Sequence, residues 1–191
     1  MKNISSRYFA LCCLLIGGAS YADETGWNIG ASIGSTDFKT DCSGTASCDT
    51  TDIGFKISGG YTFLPYLGTE IAYVDLGKAT ADLGGGLSGS VSDSGVAIYA
   101  IGILPIDAFS FYGKAGFTRL DTKVSASASG ISGSDTSTNN NFAWGVGAAY
   151  AINMNLSANL EWERYKAEFS DLGLSAKDNI DLVSLGMKYR F

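Results

Sequence analysis

The chain has 191 residues, room for one domain with a complete core rather than two. Its 13 Lys and Arg face 19 Asp and Glu, for a net charge of −6, which argues against a nucleic-acid partner because phosphate binding needs a basic face. There is no His, which removes Ser-His-Asp and Cys-His nucleophile systems and the usual zinc sites.

The first 22 residues have the layout of an export signal. Lys2 and Arg7 supply a positive flank, Tyr8 to Gly18 form a short apolar run, and Ser20-Tyr21-Ala22 puts small residues at −3 and −1 of a cleavage site. The run is too short for a membrane helix, which takes about 20 residues. Residues 1–22 are therefore expected to be cut off between Ala22 and Asp23, leaving 23–191 as the mature domain. Acylation at Cys12 or Cys13 is the weaker alternative, because Leu11 stands where a lipobox wants a small residue. Losing Lys2 and Arg7 takes the basic count from 13 to 11 and the net charge from −6 to −8.

Beyond residue 22 no segment shows the 3.6-residue repeat of an amphipathic helix. Stretches of about ten residues alternate apolar with small or polar, as strands do. Eight such segments are expected: 27–38, 51–63, 67–78, 95–104, 109–122, 140–152, 155–168 and 180–191. In the first, Trp27, Ile29, Ala31 and Ile33 oppose Asn28, Gly30, Ser32 and Gly34. The polar stretch TDCSGTASCDT follows, with Cys42 and Cys48 in an exported chain that permits disulfides. A bridge there would stabilise by about 2 kcal/mol. A metal site is the alternative, but two thiolates without a His leave it short of ligands.

The second segment sets Ile53, Phe55, Ile57, Tyr61 and Phe63 against Lys56, Ser58, Gly60 and Thr62. The seventh sets Leu156, Ala158, Leu160 and Trp162 against Ser157, Asn159, Glu161 and Glu163. The last sets Val183, Leu185, Met187, Tyr189 and Phe191 against Leu182, Ser184, Gly186, Lys188 and Arg190. Connections alternate in length. Short ones fall at Leu64-Pro65-Tyr66, Pro105-Ile106-Asp107-Ala108 and Asn153-Met154, so both prolines are expected in tight turns. The Gly/Ser runs ATADLGGGLSGSVSDS and SASASGISGSDTST, with SDLGLSAKD, are expected as long loops at the opposite end. Gly84-Gly85-Gly86 lacks the Lys-Ser/Thr and helix of a phosphate loop.

One face is apolar and the other carries Gly, Ser and single charges. A soluble sandwich would bury its large apolar residues, whereas a transmembrane barrel turns them into lipid. The aromatic residues Trp27, Tyr61, Phe63, Tyr66, Phe109, Phe111, Tyr150, Tyr189 and Phe191 fall near one set of strand ends, as an interfacial girdle would. The expectation is an all-β, eight-stranded antiparallel up-and-down transmembrane β-barrel, whose closure satisfies every backbone group in lipid. Glu161 and Glu163 are read as lumen charges balanced by Lys56, Lys114, Lys188 or Arg190, with lumen glycines making room for larger inward groups.

The segments GWNIGASIGSTDF, GFKISGGYTFLPYLGTEIAYVDLG, FYGKAGF, FAWGVGAAYAI, LEWERY and DLVSLGMKYRF resemble the N-terminal transmembrane barrel of the OmpA family, among the small OmpA/OmpX-like barrels. The resemblance runs along 27–191. It implies a bacterial outer-membrane location, with outer-membrane lipid and lipopolysaccharide and the assembly machinery as partners. It also implies an assembly signal at Tyr189 and Phe191. Many family members carry a peptidoglycan-binding domain after the barrel; for a chain that stops at Phe191 the resemblance implies no cell-wall tethering.

In that family inward charges bridge the lumen and are linked to a small ion gate. Glu70, Glu161 and Lys177 stand at similar positions, and Lys114 matches an inward basic one, but the basic residue of the fourth strand falls on Ile101. No catalytic residue, cofactor or metal ligand is expected. The expected role is structural and surface-exposed, with loops that would meet host or phage ligands. A narrow pore gated by the lumen charges is the alternative from the transport class.

Overall fold

A strand sends successive side chains to opposite faces, so the alternation above settles orientation once the strands close on themselves. The computed structural model describes residues 25–39, 47–84, 87–128, 131–171 and 174–191. Residues 1–22, Asp23 and Cys42 lie outside the described residues.

The strands are β1 (Gly26–Phe38), β2 (Ser47–Asp49), β3 (Thr51–Leu64), β4 (Leu67–Gly84), β5 (Leu87–Ile106), β6 (Phe109–Ala128), β7 (Ile131–Ala151), β8 (Leu156–Asp171) and β9 (Leu174–Arg190). Eight of them, all but the three-residue β2, pair antiparallel with their chain neighbours. β1 closes the ring on β9, with Ile33 opposite Leu185. The result is a closed eight-stranded antiparallel barrel, as expected from the eight segments. Up to the level of Ala143 and Tyr165, where the β7–β8 pairing ends, no edge among the described strands is left to face hydrocarbon.

The strands reach further than their apolar segments. Much of the two Gly/Ser runs expected as loops is ladder instead: Ser90 pairs with Ser125 and Ser125 with Ser134. Ladder bonds are made by backbone, and above the lipid a Ser, Thr or Ala face needs no apolar partner. The contrast that marks a membrane strand disappears there while the pairing continues. β2, also not expected, adds to the extension of β4 with Cys48 opposite Ala81.

Tight turns link the strands at the other end. Pro65 lies in one. Pro105, expected in a turn, is the penultimate residue of β5 and pairs with Ser110. Ile103 N–H donates to Tyr66 O on the β4 side. Two residues on, the Pro105 nitrogen faces the same way, past the start of β4, so its missing N–H costs no ladder bond. Asp107 takes φ 53° in the turn after β5, a left-handed conformation Asp tolerates.

Apolar side chains point out and polar ones in: Leu185 is 63% exposed and Glu161 2%. Aromatic pairs ring the turn end, Trp27 on Tyr61 at 5.1 Å, Phe109 on Tyr150 at 5.0 Å and Tyr189 on Phe191 at 5.3 Å. A second ring, missed in the sequence, lies higher up, with Phe55 near Tyr73, Phe117 near Phe142 and Trp144 near Trp162. Phe109 and Phe117 share the outer face of β6. Their separation is about 26 Å along the strand, or about 20 Å across a membrane at the usual tilt. That is close to the height of a lipid-facing band.

Candidate functional site

The inward parity of five strands brings six charges to the middle of the lumen. Lys56 comes from β3, Glu70 from β4, Lys114 from β6, Glu161 and Glu163 from β8, and Lys188 from β9. Lys114 Nζ sits at the centre, 3.2 Å from Glu70, 3.0 Å from Glu161 and 2.9 Å from Glu163. Lys56 Nζ bonds both Glu161 and Glu163, the latter at 2.7 Å. Lys188 Nζ lies 3.2 Å from the second oxygen of Glu70. Three ammonium groups thus meet three carboxylates, and each carboxylate is held by two lysines.

Hydroxyls complete the cluster. Tyr112 donates to Glu161 at 2.7 Å and Tyr165 to Glu163 at 3.0 Å. Lys114 also lies 4.9 Å over the Tyr99 ring, and Lys188 5.7 Å over that of Tyr112. Gly147 makes room: a Cβ there would come within 2.5 Å of the Tyr112 ring. Sequence reading found the charges but not these tyrosines; their shared parity with Lys114 and Glu163 was the available signal.

The remaining predicted residues stand apart. Arg190 lines a cavity of about 90 Å³ at the turn end, and no described carboxylate pairs with it. Lys177 pairs in backbone register with Glu168, up β8 from Glu161, and its side chain lies outside the described residues. Tyr189 and Phe191 are exposed on the lipid side, and Phe191 N–H donates to Trp27 O at 3.0 Å across the closing seam. Cys48 lies on β2 at the far end.

Above the cluster the lumen becomes apolar, with Leu76, Leu120 and Leu182 fully buried. Beyond them a second cavity, of about 260 Å³, is lined by Phe38, Val91, Val124 and Ile180 together with Asp93. Chemically the central cluster is a plug. Its groups are paired and, apart from Lys188 with 24% of its side chain accessible, almost wholly out of solvent, which ties five strands together across the lumen.

A family profile described as "Outer membrane protein beta-barrel domain" matches residues 9–191. Outer membrane protein A of Klebsiella pneumoniae is 29% identical over 143 residues, covering 73% of this chain and 41% of that protein. The chain thus spans well under half the length of that relative. Neisserial surface protein A superposes with a TM-score of 0.57 at 15% identity, over 87% of this chain and 97% of that one. Ail, the attachment invasion locus protein of Yersinia pestis, solved with the heparin analogue sucrose octasulfate, gives 0.55 at 19% identity over 87% and 99%. At these identities the two structures speak for the fold alone.

Proposed function

The chain belongs to the outer membrane protein β-barrel family and resides in the outer membrane, and from that premise we propose that it is a non-conducting structural and surface protein. The supporting observation is the balanced plug of Lys56, Lys114, Lys188, Glu70, Glu161 and Glu163 across the lumen. Opposite charges at contact in a low-dielectric space favour staying paired, and parting them leaves buried charges uncompensated. Planar-bilayer recordings of the purified protein test this. Flat baselines are expected, and steady unit conductance would overturn it.

A gated pore is the second reading, favoured by the cavities on both sides of the plug and by the partial exposure of Lys188, whose side chain is 24% accessible. Under it, Glu70→Ala or Glu161→Ala raises single-channel conductance. Unchanged conductance removes the gating idea.

The rest of the proposal follows from placement. The long hairpins face outward, carrying Ser, Thr and Asp to host or phage ligands, while the tight turns face the periplasm. Ser88 is exposed on the β5 extension, so a Ser88→Cys variant is expected to label on intact cells. Residues 1–22 are removed during export, Cys42 and Cys48 pair, lipid and lipopolysaccharide surround the two aromatic rings, and the assembly machinery reads Tyr189 and Phe191. The protein performs no catalysis in this reading, since the three carboxylates of the plug are committed to lysines.

A further inference from the structure

Among the described residues, the upper compartment contains the one buried acid that the plug does not use. Asp93, on β5, is 2% exposed, and it lies above the second aromatic ring, paired in register with Thr122, five residues beyond Phe117 on β6. Its Oδ1 accepts a hydrogen bond from the Thr122 hydroxyl. Among the described residues no lysine or arginine forms an ion pair with it. Burial pushes its carboxyl above the ordinary Asp range, and only the Thr122 hydroxyl pulls the other way. An ionised carboxylate out of water without a cation is expensive.

The cavity beside it is walled by Phe38, Ala79, Val91, Val124 and Ile180. Such a site wants a positive charge for the acid and hydrocarbon for the walls. We propose that this compartment binds a small organic ammonium ion with an apolar body, its nitrogen on Asp93 and its hydrocarbon against Phe38, Val91, Val124 and Ile180. A volume of about 260 Å³ holds on the order of nine non-hydrogen atoms, at about 30 Å³ each by the share of a water molecule. Phenethylammonium has that size, and 2-phenylethanol is its neutral match in shape.

The test uses the full mature protein in phosphatidylcholine nanodiscs, with empty nanodiscs subtracting partition into lipid. Binding of each probe is followed by ligand-observed NMR. Phenethylammonium is expected to bind at least ten times more tightly than 2-phenylethanol, and Asp93→Asn to reduce it to the level of the alcohol. Val91→Trp, which fills the cavity but keeps the carboxylate, is expected to abolish binding of both. A gel-mobility shift on heating verifies that each variant is folded. Equal binding of the two probes, no binding at all, or undiminished phenethylammonium binding by either folded variant overturns the proposal. None of these outcomes bears on whether the plug conducts.

Discussion

At mid-barrel three carboxylates meet three lysines and two tyrosine hydroxyls, all within direct contact. A few rungs higher, Asp93 meets a single hydroxyl and borders a cavity. The two regions share a barrel wall and a similar degree of burial, yet they treat negative charge differently. Where side chains fill the tube, each acid is matched by a base; where the tube is left partly empty, the acid is left unmatched. Compensation therefore tracks packing in this lumen, and removing a partner should hurt in the first region far more than in the second.

The sharpest way to break that contrast is Lys114→Met, which strips Glu70, Glu161 and Glu163 of their common cation. It is expected to cost about 3–5 kcal/mol, read as a lower urea midpoint for unfolding from liposomes. Stability like that of the parent would mean the cluster is not a coupled unit. Next in size, Cys48→Ser is expected to lose about 2 kcal/mol by removing the proposed bridge to Cys42 and to loosen the upper compartment, seen as faster amide exchange in β2; unchanged stability would overturn that pairing. Tyr165→Phe, which removes one hydroxyl from Glu163 and leaves the lysines in place, is expected to cost about 1–2 kcal/mol in the same unfolding assay.

Smallest of all is Asp93→Asn, expected to fall within about 0.5 kcal/mol of the parent at acidic pH. Its pH dependence carries the information. A carboxyl raised on folding binds more protons in the folded state than in the unfolded one, so stability falls as pH climbs above the ordinary Asp value of 3.8 toward the raised one. The parent is expected to lose stability over that interval relative to Asp93→Asn, and parallel profiles would show that Asp93 is compensated after all.

Much of this was legible from the chain because a strand has a period of two. Once Leu185 and Tyr189 are placed in lipid, Lys188 has only the lumen to enter, and the same parity puts Lys56, Lys114, Glu161 and Glu163 there. What lay hidden shares a physical cause. Tyr112 points inward beside the outward Phe111, and Tyr165 points inward on a strand where Trp162 has the opposite parity, so residue type alone misassigns them. Asp93 and the extensions of β4 to β7 sit where Ser, Gly and Ala fall on both faces. The hydrophobic contrast fades there, but hydrogen bonding between strands does not depend on it. The second aromatic ring escaped for another reason: its members lie mid-segment in the sequence, and only the register brings them level.

The seam between β1 and β9 has a further consequence for biogenesis. Because the earliest and the latest strands are direct neighbours, with Ala31 opposite Met187, no nascent intermediate can be a finished tube. A polypeptide interrupted anywhere between them carries two open ribbons of unpaired amide groups. Those ribbons cannot be left in hydrocarbon, and in water they invite aggregation. Periplasmic proteases and holdase chaperones would therefore distinguish a whole product from a fragment by whether its two ends have met.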